Sequence, residues 1–504
     1  MGTVPKLRHT RPRSVPPSNS GRLRGVALGT VAGMIRTVNS CEGRFAGMEN
    51  TISLVPQWTV RGMAVLLLCL CLSVLPACSQ SSTRVEYIPL PALPPDDAIV
   101  LTADLAFDGQ LNAHCLSYIN LGRQSSGRGS HIYYHYGARA GGSWQWAAPI
   151  RIGAEHARGA RIILAGERLH AITGLMLQQY VSEDKGKTWR DGGTLVHPDS
   201  AAPRTFDVVT MGDTLLIAYA SAFSMPVGGS ADTQVGTRLH IIRDDPHGRV
   251  DRVIAEYPLP GAAAPGPRLA VASGVVHLLM GLREDLGTWS RAAGVTGRQS
   301  QGSFLQLQHA SSHNGGRTWT QFEPVPTVNE RTMGRLGTVG DIGFGQPDLS
   351  LAADHEGLMA LWGLSGLHSQ QRRPPGGKWS TPLLVDSSLL LEPDWAIGTR
   401  TVQGIRVPGR DVAVWTTLKH TKRGRRSNDV YVGTRKASES GNWHLRRITP
   451  ERTHTSSLRA LAVNGNVYVL RAGSAMAGRS LAAYNNATDL SITIVPLGAD
   501  AVPR

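Results

Sequence analysis

Residues 182–189 read SEDKGKTW and residues 312–319 read SHNGGRTW, so both fit the pattern S-x-[DN]-x-G-x-T-W. The short polar side chain at the third position can bond nearby backbone groups, and the glycine at the fifth position can adopt φ > 0. The closing tryptophan is suited to pack between sheets and to pin a hairpin. Each octapeptide is therefore predicted to be a tight turn with a structural role. The residues that define the two turns are Ser182, Asp184, Gly186, Thr188, Trp189, Ser312, Asn314, Gly316, Thr318 and Trp319.

A hairpin pattern repeats around these turns. A short β-forming run, a Gly or Asp turn and a second apolar run recur roughly every 60 residues, a period typical of repeat folds. The copies lie near Leu105, Arg161, Arg204, Arg268, Asp348, Arg400 and Arg459. Helical periodicity is absent, and four-stranded units arranged radially protect their sheet edges. The sequence predicts an all-β fold, a six- or seven-bladed β-propeller of four-stranded blades; a β-sandwich with insertions is the alternative.

The N-terminal part of the chain is predicted to be a leader. Residues 63–77, MAVLLLCLCLSVLPA, form an apolar run of about 15 residues, too short to span a bilayer but suited to a signal peptide. Residues 75–78, LPAC, resemble the lipobox of bacterial lipoproteins, in which the cysteine becomes the lipidated first residue. Ser79 after Cys78 resembles lipoproteins sorted to the outer membrane. Ordinary secretory cleavage near Ala77 is the alternative.

These features divide the chain into four segments. Residues 1–47 are basic and lack apolar periodicity, which indicates a non-native or disordered extension, with translation starting at Met48. Residues 48–77 are predicted to be the lipoprotein signal peptide, residues 78–97 a linker after the lipidated cysteine, and residues 98–504 the propeller. The expected location is the bacterial cell envelope, lipid-anchored in the outer rather than the inner membrane, facing the periplasm or the exterior.

Charge and cysteine content narrow the function classes. The chain has a formal net charge of +15, and residues 1–77 hold nine Lys or Arg and two Asp or Glu, so +8 stays after the leader is removed. This moderate charge favours anionic ligands or surfaces without being a nucleic-acid signature. Of five cysteines, only Cys115 stays as a free thiol in the mature chain, which excludes an intrachain disulfide and a cysteine-based metal site. Cys115 is predicted to pack in a strand.

Across residues 100–500, the turns and repeated units resemble the sialidase superfamily and related Asp-box propellers. Sialidases of this fold hold the substrate carboxylate with three arginines, whose planar forks suit that group. Arginine opens the first strand of several units here. The residues predicted to converge in the channel and bind the ligand are Arg161, Arg204, Arg268 and Arg459. Alternatively, these arginines satisfy carboxylates or carbonyls between blades.

The resemblance also implies a tyrosine nucleophile with a glutamate partner and an aspartate acid/base. Here the sequence departs from the family, because Gln346 stands where Glu is expected and Thr455 where Tyr is expected. Glutamine cannot act as a base. The candidate acids are Asp341 and Asp348, in and beside a Gly-rich segment. The possible substitute nucleophiles are Tyr133, Tyr134, Tyr219, Tyr257 and Tyr431.

No metal or cofactor motif stands out. The 17 histidines show no HExxH spacing, and His170, His240 and His277 are expected to pack on strands or face solvent. No phosphate loop is present, so neither a metal nor an organic cofactor is predicted. The basic segment 419–426 reads as a solvated hairpin tip, or alternatively as a contact for lipopolysaccharide phosphates or acidic glycans.

Three functions fit these observations. The first is an envelope-anchored, sialidase-like propeller that binds an acidic glycan or another anionic ligand without standard sialidase chemistry. The second is an active exo-glycosidase of the exo-alpha-sialidase type, acting on sialosides or related acidic sugars. The third is a scaffold or assembly factor of the cell envelope with a protein partner. A membrane contact through the lipid anchor is expected, and a nucleic-acid partner is not.

Overall fold

A computed structural model of the chain describes seventeen segments. They are residues 83–91, 99–120, 130–153, 160–174, 176–196, 205–226, 233–257, 266–285, 303–326, 349–363, 367–373, 376–385, 398–420, 426–439, 443–450, 453–475 and 489–497. The predicted extension, signal peptide and lipidation site at Cys78 lie outside these residues.

The described residues form strands connected by turns. The strands are β1 (Arg84–Tyr87), β2 (Ile99–Phe107), β3 (Ala113–Asn120), β4 (Ser130–Ala140), β5 (Ser143–Trp146), β6 (Ile150–Gly153), β7 (Ala160–Ala165), β8 (Arg168–Thr173), β9 (Gln178–Ser182), β10 (Arg190–Thr194), β11 (Thr205–Met211), β12 (Thr214–Pro226), β13 (Thr233–Asp245), β14 (Gly248–Tyr257), β15 (Gly266–Ala272), β16 (Val275–Asp285), β17 (Ser303–Ser312), β18 (Glu323–Val325), β19 (Leu349–Asp354), β20 (Gly357–Gly363), β21 (Leu367–Arg372), β22 (Leu383–Leu384), β23 (Gly398–Val407), β24 (Arg410–His420), β25 (Arg426–Lys436), β26 (His444–Arg447), β27 (Thr453–Val463), β28 (Asn466–Ala475) and β29 (Asp489–Pro496).

These strands pair into seven antiparallel sheets, the blades of a propeller. Blades 1 to 6 are built from consecutive strands: β2–β6, β7–β10, β11–β14, β15–β18, β19–β22 and β23–β26. In blade 1, β5 and β6 share the outer position beside β4. Blade 7 joins β27, β28 and β29 to β1, with Arg84 opposite Ile494. The last blade is therefore completed by a strand from the N-terminal side.

The blades close into a ring around the first, innermost strand of each. Every innermost strand lies against that of the next blade, and β27 lies against β2. Seven clusters of buried apolar side chains fill the seven blade interfaces, one cluster at each. Burial of apolar surface between blades is therefore the main force that holds the ring together.

Each blade also defines the two faces of the propeller. Strands alternate in direction, so the hairpins joining the first to the second strand and the third to the fourth leave from the same end. We call this end the turn face. The innermost strands begin at the opposite face.

The sequence predictions of the fold are confirmed, with seven blades rather than six. The seven predicted hairpins are the first two strands of the seven blades, and Cys115 is fully buried on β3. One boundary differs, because β1 lies within residues 78–97, a segment predicted to be a linker. Its four residues, RVEY, contain no hairpin that could mark them as part of a blade. No described residue lies in a helix that could cross a membrane.

Candidate functional site

The innermost strands carry polar residues at matching positions. Six of them have such a residue four positions before their last residue: Arg161, Asp207, Arg268, Ser350, Gln403 and Arg459. Strand β2 contributes Asp104, three positions before its end. We call these seven residues the inner ring. Several of these polar side chains contact one another across neighbouring blades.

Two carboxylates bind the arginines Arg161 and Arg459 and connect blades 1, 2, 3 and 7. Asp104 is almost fully buried; its Oδ1 lies 3.0 Å from Nε of Arg459 and 3.9 Å from Nη1 of Arg161. Asp207 accepts a hydrogen bond of 2.8 Å from Nη2 of Arg161. Each carboxylate also accepts a backbone N–H from the next blade, Ile162 N for Asp104 and Leu269 N for Asp207, both at 2.9 Å. Buried charges are thus paired and hydrogen-bonded, as their desolvation requires.

Hydrogen bonds in which at least one partner is uncharged connect the remaining blades of the ring. Arg268 donates through Nε to the Leu349 carbonyl at 2.5 Å, which links blades 4 and 5. Ser350 accepts the Gly404 N–H at 2.8 Å, which links blades 5 and 6. Nη1 of Arg459 donates to Oε1 of Gln403 at 3.0 Å, which links blades 6 and 7. Together with the two aspartates, every one of the seven interfaces is bridged by an inner-ring side chain.

Arg459 is the residue of the ring best placed to meet a ligand. About a quarter of its side chain, 24%, is accessible to solvent, whereas Asp104 beside it is 2% accessible. Burial lowers the pKa of the Arg459 guanidinium. The carboxylates Asp104 and Asp207 raise this pKa, and the cations Arg161 and Arg268 lower it by smaller amounts. The lowered pKa is therefore an effect of burial, and a carboxylate bound at the accessible part of Arg459 would offset this cost of desolvation.

The structure brings together three of the four predicted arginines. Arg161, Arg268 and Arg459 all lie in the inner ring, and all three make the bonds to neighbouring blades that the alternative interpretation predicts. Arg204 lies outside the described residues, as do Asp341, Gln346 and Asp348. Thr455 is buried on β27, beside a bulge at Ser456.

Sequence reasoning missed the two aspartates of the ring. Asp104 interrupts the apolar run of β2, LTADLAF, and Asp207 that of β11, TFDVVTM. Aspartate is disfavoured in strands and rarely fully buried unless paired. A single carboxylate inside an apolar inner strand is therefore the signal that could have found both residues.

The tyrosines considered as substitute nucleophiles are engaged in packing. Tyr134 donates to the Lys185 carbonyl at 3.2 Å, and burial raises the pKa of its phenol well above the usual value. Burial likewise raises the pKa of Tyr257, which donates to Gln308. Tyr219 bonds Asp251 at 2.7 Å, Tyr133 lies in the apolar core, and Tyr431 stacks on Trp415. A raised pKa makes a phenol a poorer nucleophile near neutral pH.

The strand histidines pack inside the blades. His170 bonds Gln179, His240 bonds Tyr219, and His277 lies 3.3 Å from a nitrogen of His309. Burial lowers the pKa of His170 and of His277 to about 4. All three histidines are buried, so they pack on the strands and do not face solvent. Among the described residues, no group of three or more His, Cys, Asp or Glu is arranged to hold a metal ion.

The two octapeptides form the same turn in different blades. Residues 182–189 connect β9 to β10 in blade 2, and residues 312–319 connect β17 to β18 in blade 4. We call them the blade 2 turn and the blade 4 turn. In each, the serine hydroxyl accepts the glycine N–H at 2.8 Å, and the tryptophan Nε1 donates to the same glycine's carbonyl at 3.1 or 3.2 Å. Both glycines have positive φ, +89° and +82°.

The third residue of each turn binds the threonine that follows it. In the blade 2 turn, Asp184 accepts from both the N–H and the hydroxyl of Thr188, at 2.8 and 2.6 Å. In the blade 4 turn, Asn314 accepts the Thr318 N–H at 2.9 Å but donates its amide to the Thr318 hydroxyl at 2.8 Å. The hydrogen bonds from Thr188 lower the pKa of Asp184 to about 2, so this residue is a carboxylate at neutral pH.

Comparison with known proteins yields distant similarities only. No protein-family model matches the chain, and no curated protein matches it. Among solved structures, the chain is similar to a NanB sialidase from Streptococcus pneumoniae, with a TM-score of 0.40 and 9% identity over 84% of this chain and 95% of that one. It is also similar to an alpha-L-arabinanase from Penicillium chrysogenum (0.38, 11%, over 82% and 98%) and an alpha-L-arabinofuranosidase from Fusarium graminearum (0.39, 10%, over 71% and 98%). These scores are too low to support an argument about function.

Proposed function

We propose that this protein is an envelope-anchored propeller that binds an acidic glycan, or another anionic ligand, at the inner ring without standard sialidase chemistry. The observation that carries the proposal is Arg459. Its Nε faces Asp104 and its Nη1 donates to Gln403, while its Nη2 has no partner among the described residues. A solvent-accessible guanidinium edge, held in place from two sides, is a preorganised donor for a carboxylate.

The surroundings of Arg459 favour an anion over a neutral sugar. The inner ring holds three guanidinium groups, those of Arg161, Arg268 and Arg459, against two carboxylates. Both carboxylates are already bonded to backbone N–H groups and to arginines. A carboxylate bound between these cations would gain charge-assisted bonds with little reorganisation. The net charge of +8 outside the leader would add a general attraction for anions.

The absence of hydrolysis is proposed from the residues at the expected catalytic places. Gln346 and Thr455 cannot perform base and nucleophile chemistry as Glu and Tyr would. The tyrosines that could replace the nucleophile are held in cores or bonded to other groups.

Binding and hydrolysis can be tested together. Titration calorimetry with N-acetylneuraminic acid, glucuronic acid and neutral glucose is expected to give binding of an acidic sugar alone, and a fluorogenic sialoside is expected to stay intact. Arg459→Gln should weaken acid binding roughly tenfold or more, since a charge-assisted bond is worth about 1.5–3 kcal/mol. Arg459→Lys, which keeps the charge without the fork, should lie in between.

The matched control is Arg238→Gln on β13. Arg238 is partly buried and pairs with Glu256 at 2.7 Å, away from the inner ring, so its replacement should leave acid binding unchanged. Melting curves of every variant separate loss of a ligand contact from loss of the fold. Failure of every acidic sugar to bind would refute the proposal, and turnover that depends on Arg459 would replace it with the exo-glycosidase.

The anchoring is a separate proposal, carried by the LPAC segment at residues 75–78. Cells expressing the chain are expected to incorporate labelled palmitate into it, and Cys78→Ser should abolish both the label and sedimentation with membranes. Unlabelled wild-type protein released into the periplasm would instead support ordinary secretory cleavage. Outer-membrane location would be checked by density separation of the two membranes.

A further inference from the structure

A polar cavity lies on the turn face, between blades 3 and 4. It has a volume of about 270 Å³. Its lining residues are Met211, Thr214, Arg243, Asn314, Gly315 and Arg317. Met211 and Thr214 flank the first hairpin of blade 3, Arg243 lies near the end of β13, and the other three belong to the blade 4 turn. The cavity shares no residue with the inner ring.

Guanidinium groups dominate the polar lining. Arg243 forms an ion pair with Asp245, and its Nε is buried without a hydrogen-bond partner. The side chain of Arg317 is exposed and bonds no described residue, while Arg252 reaches the Arg317 carbonyl at 3.3 Å. Two guanidinium groups therefore line the cavity, and only that of Arg243 is paired with a carboxylate among the described residues. The nearby Asp213 lies against Gly166 of blade 2, on the other side of its hairpin.

The blade 4 turn differs from the blade 2 turn at the residue that sets its charge. Asp184 is ionised in the blade 2 turn, and Asn314 occupies the same place as a neutral amide. An aspartate at 314 would put a negative charge on the cavity wall beside Arg317 and Arg243. The asparagine keeps the turn's hydrogen bonds while leaving the cavity positively charged.

We infer that this cavity binds a small anion, or the anionic group of a larger ligand, between the guanidinium groups of Arg243 and Arg317. The volume suits a sulfate, a phosphate or a single carboxylated sugar rather than a long chain. Arginine pairs bind such oxyanions through forked, charge-assisted hydrogen bonds. The Thr214 hydroxyl adds a neutral donor on the blade 3 side.

The test measures binding of inorganic sulfate, inorganic phosphate and glucuronate by titration calorimetry on the whole protein, with glucose as the neutral comparison. Binding of at least one anion with one-to-one stoichiometry is expected outside the inner ring, so Arg459→Gln should not change it. The three probes distinguish a tetrahedral oxyanion from a carboxylate.

Asn314→Asp is the decisive variant, because the blade 2 turn folds with aspartate at this place. It should preserve the melting temperature and weaken anion binding roughly tenfold, as expected for one added like charge within a few Å of the ligand. The reverse change, Asp184→Asn, should leave the affinity unaltered. Arg317→Ala, which removes one of the two guanidinium groups, should abolish binding, while Lys187→Ala, at the same place in the blade 2 turn, should not.

Two results would overturn the inference. One is the absence of binding by all three anions. The other is an affinity that is unchanged in both Asn314→Asp and Arg317→Ala, which would place the anion elsewhere; if that binding is lost in Arg459→Gln, it lies at the inner ring and supports the proposed function instead.

Discussion

The blade 2 turn and the blade 4 turn share a sequence pattern and a hydrogen-bond geometry, yet they meet different neighbours. The blade 2 turn carries a carboxylate and packs on an aromatic ring, since Trp189 lies 5.1 Å from Tyr134 of blade 1. The blade 4 turn carries an amide and packs on the aliphatic side chains of blade 3, with Trp319 against the cluster that contains Leu216. Beside it lies the cavity lined by Arg243 and Arg317.

The comparison separates two roles within one motif. The serine, glycine and tryptophan fix the turn, because their bonds are the same in both copies within about 0.1 Å. The aspartate or asparagine sets the local charge with little effect on the geometry. The same structural turn can thus carry a different charge at one position, and that charge would change the affinity for a nearby ligand.

The largest expected effect comes from replacing the turn glycines. A Cβ on Gly186 would lie 2.2 Å from the ring of Tyr134, and one on Gly316 would lie 2.8 Å from a methyl of Leu216. Gly186→Ala should therefore lower the free energy of unfolding by about 2–4 kcal/mol, and Gly316→Ala by about 1–2 kcal/mol, since a leucine can rotate away more easily than a ring. Urea denaturation of both variants would measure this difference.

Gly212→Ala provides the control for these two changes. Gly212 also has positive φ, +61°, but nothing lies within 4 Å of its Cβ position. The loss of unfolding free energy in Gly212→Ala therefore measures backbone strain alone. Equal losses in all three variants would mean that packing against the previous blade does not distinguish the two turns.

A smaller effect is expected from truncating the third residue of each turn. Asp184→Ala removes ionic hydrogen bonds to Thr188, whereas Asn314→Ala removes neutral ones to Thr318. Bonds to a charged group are stronger, so the melting temperature should fall further in Asp184→Ala than in Asn314→Ala. The reverse order, measured by circular dichroism, would show that the charge contributes nothing to the turn.

The smallest expected effect is a pH dependence confined to the blade 2 turn. The pKa of Asp184 is lowered from 3.8 to about 2, so the folded state favours the carboxylate. Its contribution to stability is fully present above the unfolded pKa and is lost as the pH falls through about 2. The difference in unfolding free energy between wild type and Asp184→Asn should therefore shrink between pH 5 and pH 2.5. A difference that stayed constant over this range would contradict the assigned ionisation.

The fold was predictable because each blade repeats the same strand pattern, so the period of the blades is visible in the sequence. Each blade begins with a hairpin whose apolar runs and turn recur along the chain, and both octapeptides lie between third and fourth strands. The closing strand β1 escaped prediction because its pairing with β29 is a contact between distant parts of the chain. Four residues without a local partner leave no periodic signal.

The candidate site was predictable in part. The arginines were found because they recur at the opening of the inner strands, and Arg161, Arg268 and Arg459 do meet. The carboxylates that pair with Arg161 and Arg459 were missed. Asp104 and Asp207 each occur only once, in a strand whose pattern otherwise matches the inner strands of the other blades. The cavity beside Arg317 depends on two blades coming together, which no local pattern reports.

The pairing of β1 with β29 also has a consequence for how the chain is made. Arg84 leaves the ribosome long before Ile494 does, so the ring stays open until β29 has been synthesised. Until then, β29's place beside β1 is empty, and an unpaired strand edge is a template for pairing with other chains. A nascent chain of this protein should therefore depend on holding factors that keep it from aggregating, and truncation before residue 489 should yield aggregates rather than a six-bladed remnant.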